Sequence, residues 1–336
     1  MDINADAGYT VKVVRKMSKE LLNVENLKTY FPVKSGVFKQ TKEFVHAVDD
    51  ISFKVNEQET FALVGESGCG KSTTGRSILR IIEPTTGKVT FNDRDILKLS
   101  KEEMRKSRKD MQLIFQNPYS SLNPRMTVKK LLEEPLKTHF TMTQNELDEQ
   151  VLWVMEKVGL SKEQLERYPH QFSGGQRQRI SIARAIISKP KFVVADEPVS
   201  ALDVSIQSQI LNLLIELQKD LKLTYIFISH DLNVVRHISN SVAVMYLGRI
   251  VETGKTEEIF ENPMHPYTQA LLSAVPSKDP LQKKKRIILQ GDVPSPVNPP
   301  KGCPLYARCS QAMEICKENR PILKTINGTH QTACHL

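Results

Sequence analysis

The stretch Thr60-Phe-Ala-Leu-Val-Gly-Glu-Ser-Gly-Cys-Gly-Lys-Ser-Thr73 decides the fold of this 336-residue chain. It reads as a buried strand, a glycine-rich loop and the start of a helix. The loop is Gly65-x-x-x-x-Gly70-Lys71-Ser72, a phosphate-binding pattern. Residues without Cβ tolerate positive φ, so successive backbone N–H groups curl around an anion. The helix that follows points its partial positive end at the same anion. Gly65, Glu66, Ser67, Gly68, Cys69, Gly70, Lys71, Ser72 and Thr73 are the residues expected to hold the phosphates of a nucleotide. Lys71 is expected to reach the β- and γ-phosphates, and the Ser72 hydroxyl to ligate Mg²⁺.

Working outward, short continuous apolar runs recur at 61–64, 192–195 and 225–228, as in strands buried on both faces of a parallel sheet. Helical patterns fall between them, at 73–82, 127–137, 144–158, 176–188, 206–219 and 232–237. Strands alternating with helices predict an α/β fold. Residues 45–55 alternate as a half-buried antiparallel strand does. About 126–175 is mostly helix-forming and reads as a helical subdomain inserted into the sheet domain. Residues 241–253 read as two strands around a Leu247-Gly248 turn. The expected organisation is a loose arm over 1–20, a sheet-and-helix unit over 21–275, and a small cysteine-bearing domain over 276–336. Pro294, Pro296, Pro299 and Pro300 make a stiff connector in that last part.

Hydrophobic content of 40% and charged content of 25% are ordinary for a globular protein. No apolar run approaches the roughly 18 residues of a spanning helix, and the first 20 residues lack an apolar secretory core. The chain is expected in the cytosol, reaching a membrane through a partner. The net charge of +9 is concentrated in runs at 101–109 and 283–286. Without aromatic residues between them, these runs read as solvated helix faces, and no direct nucleic-acid partner is expected.

Phe192-Val-Val-Ala-Asp196-Glu197 is an apolar strand ending in two acids. Asp196 is placed to hold Mg²⁺, and Glu197 to act as general base on the water that attacks a γ-phosphate. Acids at strand ends also cap turns, but beside a phosphate loop the chemical reading is preferred. Between the two motifs, Ser173-Gly174-Gly175-Gln176 has capping-box spacing before a helical run. The paired glycines leave the first N–H groups of that helix open to a second phosphate contact.

This set resembles the ATP-binding cassette (ABC) ATPases over about residues 21–275. The resemblance implies a RecA-like P-loop core with an antiparallel β subdomain and an inserted helical subdomain. Gln116 matches the family's Q-loop glutamine, which senses Mg²⁺ and faces the transmembrane partner. Asp203, in Ser200-Ala-Leu-Asp203, matches its D-loop, and His230 its switch histidine. Tyr30 is the first candidate for the aromatic that stacks on adenine, with Phe31 and Phe44 as alternatives. The resemblance also implies a second cassette, because the signature of one chain faces the phosphate loop of another.

His265-Pro266-Tyr267, and a tail with Cys303, Cys309, Cys316 and Cys334, resemble the oligopeptide/dipeptide (and nickel) importer ATPases, with Gln176 closer to their F-type partner. That implies a paralogous second cassette, two permeases, an extracytoplasmic peptide-binding protein, and a place on the cytoplasmic face of the membrane. The cysteine spacing, C-x5-C-x6-C-x17-C, favours a metal site over disulfides. Zinc and an iron–sulfur cluster both fit four thiolates; the resemblance favours [4Fe–4S]. A soluble ABC ATPase acting on ribosomes or DNA, and a non-catalytic metal-binding protein, are the competing readings. Cys69 is a candidate for thiol-reagent sensitivity with protection by ATP.

Overall fold

The computed structural model describes residues 19–33, 43–275 and 286–336. The arm up to residue 18, the polar segment 34–42 and most of the basic run at 283–286 lie outside the described residues. The strands are β1 (Glu20–Pro32), β2 (Phe44–Asn56), β3 (Thr60–Val64), β4 (Thr86–Phe91), β5 (Arg94–Asp95), β6 (Met111–Ile114), β7 (Phe192–Asp196), β8 (Thr224–Ser229), β9 (Ser241–Tyr246), β10 (Arg249–Lys255), β11 (Lys324–Asn327) and β12 (His330–Thr332). The helices are α1 (Lys71–Ile78), α2 (Lys101–Ser107), α3 (Pro118–Ser121), α4 (Val128–His139), α5 (Gln144–Lys157), α6 (Gly174–Ile186), α7 (Val204–Leu221), α8 (Leu232–Ile238), α9 (Thr256–Glu261), α10 (Pro266–Ser273) and α11 (Glu314–Glu318).

The main sheet runs β11-β12-β10-β9-β3-β8-β7-β6, and a smaller antiparallel sheet runs β2-β1-β4-β5. Strands β9, β3, β8, β7 and β6 are mutually parallel. Every residue of β3, β7 and β8 is buried. Alternation splits these strands between two cores. Ala62, Val64, Val193, Ala195, Tyr225 and Phe227 join the core beneath α4 to α7. Phe61, Leu63, Phe192, Val194, Ile226 and Ile228 join the core shared with the small sheet and α1. Each such side chain contributes roughly 1.5–3 kcal/mol by burial. That is why these runs are apolar throughout rather than alternating.

Helices α4 and α5 lie where the sequence shows helical patterns at 127–137 and 144–158. Thr127 and Thr143 cap α4 and α5. Val128, Leu131, Leu132 and Leu136 form the buried stripe of α4, one face of a 3.6-residue period.

The register sets up the site. Val64 lies opposite Ser229, Asp196 opposite Ile228, and Ile114 opposite Ala195. The carboxyl ends of β3, β8, β7 and β6 therefore stand side by side, where open α/β sheets bind ligands.

Two expectations about the tail change. The proline-rich connector pairs along β2: the His46 N–H donates to the Pro296 carbonyl at 2.9 Å, and Val45 bridges to Val297. A small cysteine-rich domain of its own is not supported. Strand β12 pairs with β10 in the main sheet, and Leu305 sits in the main core. The outer edge of β10 carries backbone groups that need partners, and β12 supplies them. Glu252 of β10 is fully buried and meets the ring of His330, on β12, at 2.7 Å. Pairing over so long a sequence separation leaves no local pattern to read.

Candidate active site

At the end of β3 the chain turns through Gly65, Gly68 and Gly70, all at positive φ. Gly70 has φ 105°, and a Cβ there would lie 2.1 Å from the Ala47 carbonyl oxygen of β2. A side chain is excluded on both conformational and spatial grounds. Among the described residues, the N–H groups of Ser67, Gly68 and Gly70 have no protein acceptor, so they are open to an anion. Thr73 is half-buried in the first turn of α1.

Lys71 is only 5% exposed, and its Nζ donates to the carbonyls of Gly65 (2.9 Å) and Glu66 (3.0 Å). The ammonium is held over the loop by two acceptors that phosphate oxygens can replace. Ser72 Oγ donates to Asp196 Oδ1 at 2.6 Å, bringing the two expected magnesium residues together. Asp196 is 1% exposed and also meets Arg76, at 3.3 Å. Arg76 was not among the expected site residues; on sequence alone it is one more basic residue of a helix.

Glu197 has φ 47°, a left-handed conformation that costs a residue with a side chain of order 1–3 kcal/mol. Its N–H donates to the Ile228 carbonyl. Its Oε2 accepts from Gln116 Nε2 at 2.8 Å and lies 3.3 Å from His230 Nδ1. Gln116, Glu197 and His230, from three parts of the sequence, thus converge on one carboxylate. The His230 side chain is 58% exposed, so this edge is open to a reactant.

The signature residues open α6. Ser173 caps α6: its Oγ accepts from the Gln176 N–H, while Gln176 Oε1 accepts from the Ser173 N–H. A Cβ on Gly175 would lie 2.6 Å from Ile206 Cγ2, so this glycine serves packing against α7. Gly174 faces Leu202. Among the described residues, no hydrogen bond joins 173–176 to the phosphate loop. Asp203 is exposed at the start of α7, beside Val204, which is 79% exposed.

Tyr30 stacks on His46 with centroids 4.0 Å apart, and its hydroxyl donates to Asp49 Oδ1. One ring face and the hydroxyl are therefore engaged within the chain. Phe31 and Phe44 are exposed. Burial raises the Asp49 carboxyl, but Tyr30 and Arg249 outweigh it and hold the group below the usual range.

Cys69 does not fit the expectation of a reactive thiol. It is buried, and burial pushes its thiol up despite Lys71 nearby. Thiolate is the reactive form, so this site is poorly reactive.

Cys303, Cys309, Cys316 and Cys334 are free thiols lining one cavity of about 10 Å³. Burial, then the neighbouring thiols, raise Cys303. Such a void holds about one water-sized sphere. Among the described residues, no group of three or more His, Cys, Asp or Glu converges to hold a metal ion. The four cysteines of the expected [4Fe–4S] or zinc site thus line one cavity without forming a metal-holding group among the described residues.

Two residues not expected at the site support the loop from a distance. The Tyr267 hydroxyl, fully buried, accepts from the Glu66 N–H at 2.9 Å. Arg308 pairs with the Glu66 carboxylate. Both contacts span more than 200 residues; Tyr267 lies in the His265-Pro266-Tyr267 motif, but nothing in the sequence pairs either residue with Glu66.

A family model described as ABC transporter matches residues 48–200. One described as oligopeptide/dipeptide transporter, C-terminal region, matches 251–316. The chain is 52% identical to the oligopeptide transport ATP-binding protein AppF of Bacillus subtilis, over 94% of this chain and 97% of that protein. It is 52% identical to the dipeptide transport ATP-binding protein DppF of Haemophilus influenzae, over 95% and 97%. It is 49% identical to the oligopeptide transport ATP-binding protein OppF of Salmonella typhimurium, over 96% and 98%. Among solved structures it resembles a dimeric post-hydrolysis ATP-binding cassette, MJ0796, bound to ADP and Pi. That match has TM-score 0.63 and 28% identity, over 70% of this chain and 99% of that chain.

Proposed function

This chain belongs to the ABC transporter ATP-binding proteins, and on that premise we propose that it hydrolyses ATP to energise a peptide importer. For hydrolysis, the carrying observation is the convergence of Gln116 and His230 on Glu197, beside the Lys71 loop. For peptide import, it is the near-full-length similarity to oligopeptide and dipeptide transport ATP-binding proteins. The competing readings, a ribosome- or DNA-acting ATPase and a non-catalytic metal protein, have no comparable support.

In this reading the open N–H groups and Lys71 take the β- and γ-phosphates, Lys71 exchanging its two carbonyl partners for phosphate oxygens. Glu197 accepts the proton of the attacking water, and Gln116 and His230 hold its carboxylate in place. Ser72 and Asp196, an alcohol and a carboxylate already paired, suit a hard cation with oxygen ligands; with Gln116 they would hold Mg²⁺. The ion supplies charge neutralisation for the phosphoryl group. Positioning and neutralisation account for the chemistry, because the transition state spreads its charge over the phosphoryl oxygens.

Among the described residues the signature makes no hydrogen bond to its own chain's phosphate loop, which supports a composite site. Ser173, Gly174, Gly175 and Gln176 would face the phosphate loop of a second, paralogous cassette, with Asp203 and Val204 at the seam. Permeases would dock near Gln116, where Phe115, Pro135, Thr138 and Arg184 line a groove of about 340 Å³. Among the described residues no helix is long and apolar enough to cross a membrane. Attachment to the cytoplasmic face would therefore come through two permeases, fed by an extracytoplasmic peptide-binding protein. The expected result is co-purification from detergent-solubilised membranes with two permeases and a second cassette, with ATPase activity stimulated by peptide-loaded binding protein. Tight ribosome or DNA binding with no membrane partner would reject the reading.

The four free thiols around one cavity support a [4Fe–4S] cluster, or zinc, in the tail. Anaerobically purified protein is expected to carry about four iron and four sulfide per chain with absorbance near 400 nm. One zinc per chain without iron would select the alternative. Absence of both metals would remove the site.

A further inference from the structure

We propose that Arg308, in the cysteine-bearing tail, is a positioning residue for ATP that holds Glu66 of the phosphate loop and cancels its charge. The inference rests on the ATPase reading above.

Arg308 lies 242 residues from Glu66, yet its Nη1 donates to Glu66 Oε2 at 3.0 Å and its Nη2 to Oε1 at 3.3 Å. This two-pronged geometry fixes direction as well as charge. The Arg308 side chain is 9% exposed, and Nη1 also donates to the Tyr246 hydroxyl. Glu66 is the hub of the loop. Its N–H goes to Tyr267, and its carbonyl accepts from Lys71 Nζ and from the Cys69 N–H. Through Glu66, Arg308 touches the residue that carries the phosphate-binding ammonium.

The carboxylate of Glu66 needs this partner. It sits in a loop built to receive a polyanionic nucleotide, where an uncompensated negative charge repels the ligand. Arg308 cancels that charge and removes the freedom of the Glu66 side chain at once. Arg308 itself is set by the tail: Leu305 is buried in the main core, and the Arg308 N–H donates to its carbonyl at 2.8 Å. The tail thereby sets the loop's affinity for ATP from outside the nucleotide motifs.

The test is ATP titration of the full chain, together with KM and kcat in the assembled importer. Arg308→Ala is expected to weaken ATP binding and raise KM by about tenfold, with kcat within about twofold. Adding Glu66→Gln is expected to restore affinity to within about threefold, because the unpaired charge is gone. A purely structural role for Arg308 would not be rescued in this way. ATP affinity within twofold of wild type in Arg308→Ala, or a loss that Glu66→Gln does not recover, would overturn the proposal. Should Arg308→Ala fail to fold by circular dichroism, Arg308→Lys carries the test, because it keeps the charge and loses the two-pronged hold. It is expected to weaken ATP binding by about threefold with kcat within about twofold, and unchanged affinity would overturn the proposal. Failure of the wild-type chain to bind ATP would instead reject the ATPase reading.

Discussion

Replacing Glu197 by Gln is expected to lower ATP turnover by about 10²–10⁴-fold, the range of a positioned general base, while leaving ATP affinity within about threefold. The variant keeps the shape of the site. A carboxamide oxygen can still accept from Gln116 Nε2, which donates to Glu197 at 2.8 Å in the native chain. What it loses is the ability to take a proton. The phosphate loop, Lys71 and the Ser72–Asp196 pair do not touch the substituted atoms, so binding is preserved. ATP-loaded variant is then expected to accumulate as a closed cassette dimer, visible by size-exclusion chromatography. The check is steady-state hydrolysis in the complete complex beside equilibrium binding. Near wild-type turnover would remove Glu197 as the base and shift the role to solvent or to His230.

Replacing Lys71 by Ala acts on binding instead. A hydrogen bond to a charged group contributes about 1.5–3 kcal/mol, so ATP affinity is expected to fall roughly 10- to 150-fold. The native contacts explain why no neighbour substitutes. Lys71 is the buried cation over the loop, while Arg76 is committed to Asp196 and Arg308 to Glu66. The variant also removes the Lys71 donor from the carbonyls of Gly65 and Glu66, the latter keeping only the Cys69 N–H, and so loosens the empty loop. Isothermal titration with ATP measures the effect, and the melting temperature reports whether the fold survives. Unchanged affinity in a folded variant would mean that the loop does not hold the phosphates through this lysine.

The sheet core was legible because its chemistry is local. The apolar runs at 61–64, 192–195 and 225–228 are the strands β3, β7 and β8, each extended by one or two residues at its ends. Capping residues at Thr127, Thr143 and Ser173 mark helix starts. Strands β5 and β6 carry too few residues for a period to emerge, and β4, half exposed, has no continuous apolar run. Within the site, Lys71, Ser72, Asp196, Glu197, Gln116 and His230 announced themselves because each sits at a strand end or in a loop of fixed spacing. Tyr267 and Arg308 did not, since what makes them matter is a partner two hundred residues away. The metal expectation for the tail rests on a count of cysteines, and a count alone does not choose between an iron–sulfur cluster and zinc.

The pairing of β12 with β10 has a consequence for biosynthesis. His330 is translated 78 residues after Glu252. At 5–20 residues per second, a ribosome needs roughly 4–16 s to cover that distance. During that interval β10 has emerged with its outer edge bare and a carboxylate awaiting its imidazole. Bare edges template wrong pairings, so each nascent cassette passes through seconds of heightened aggregation risk, and chaperone dependence should concentrate there.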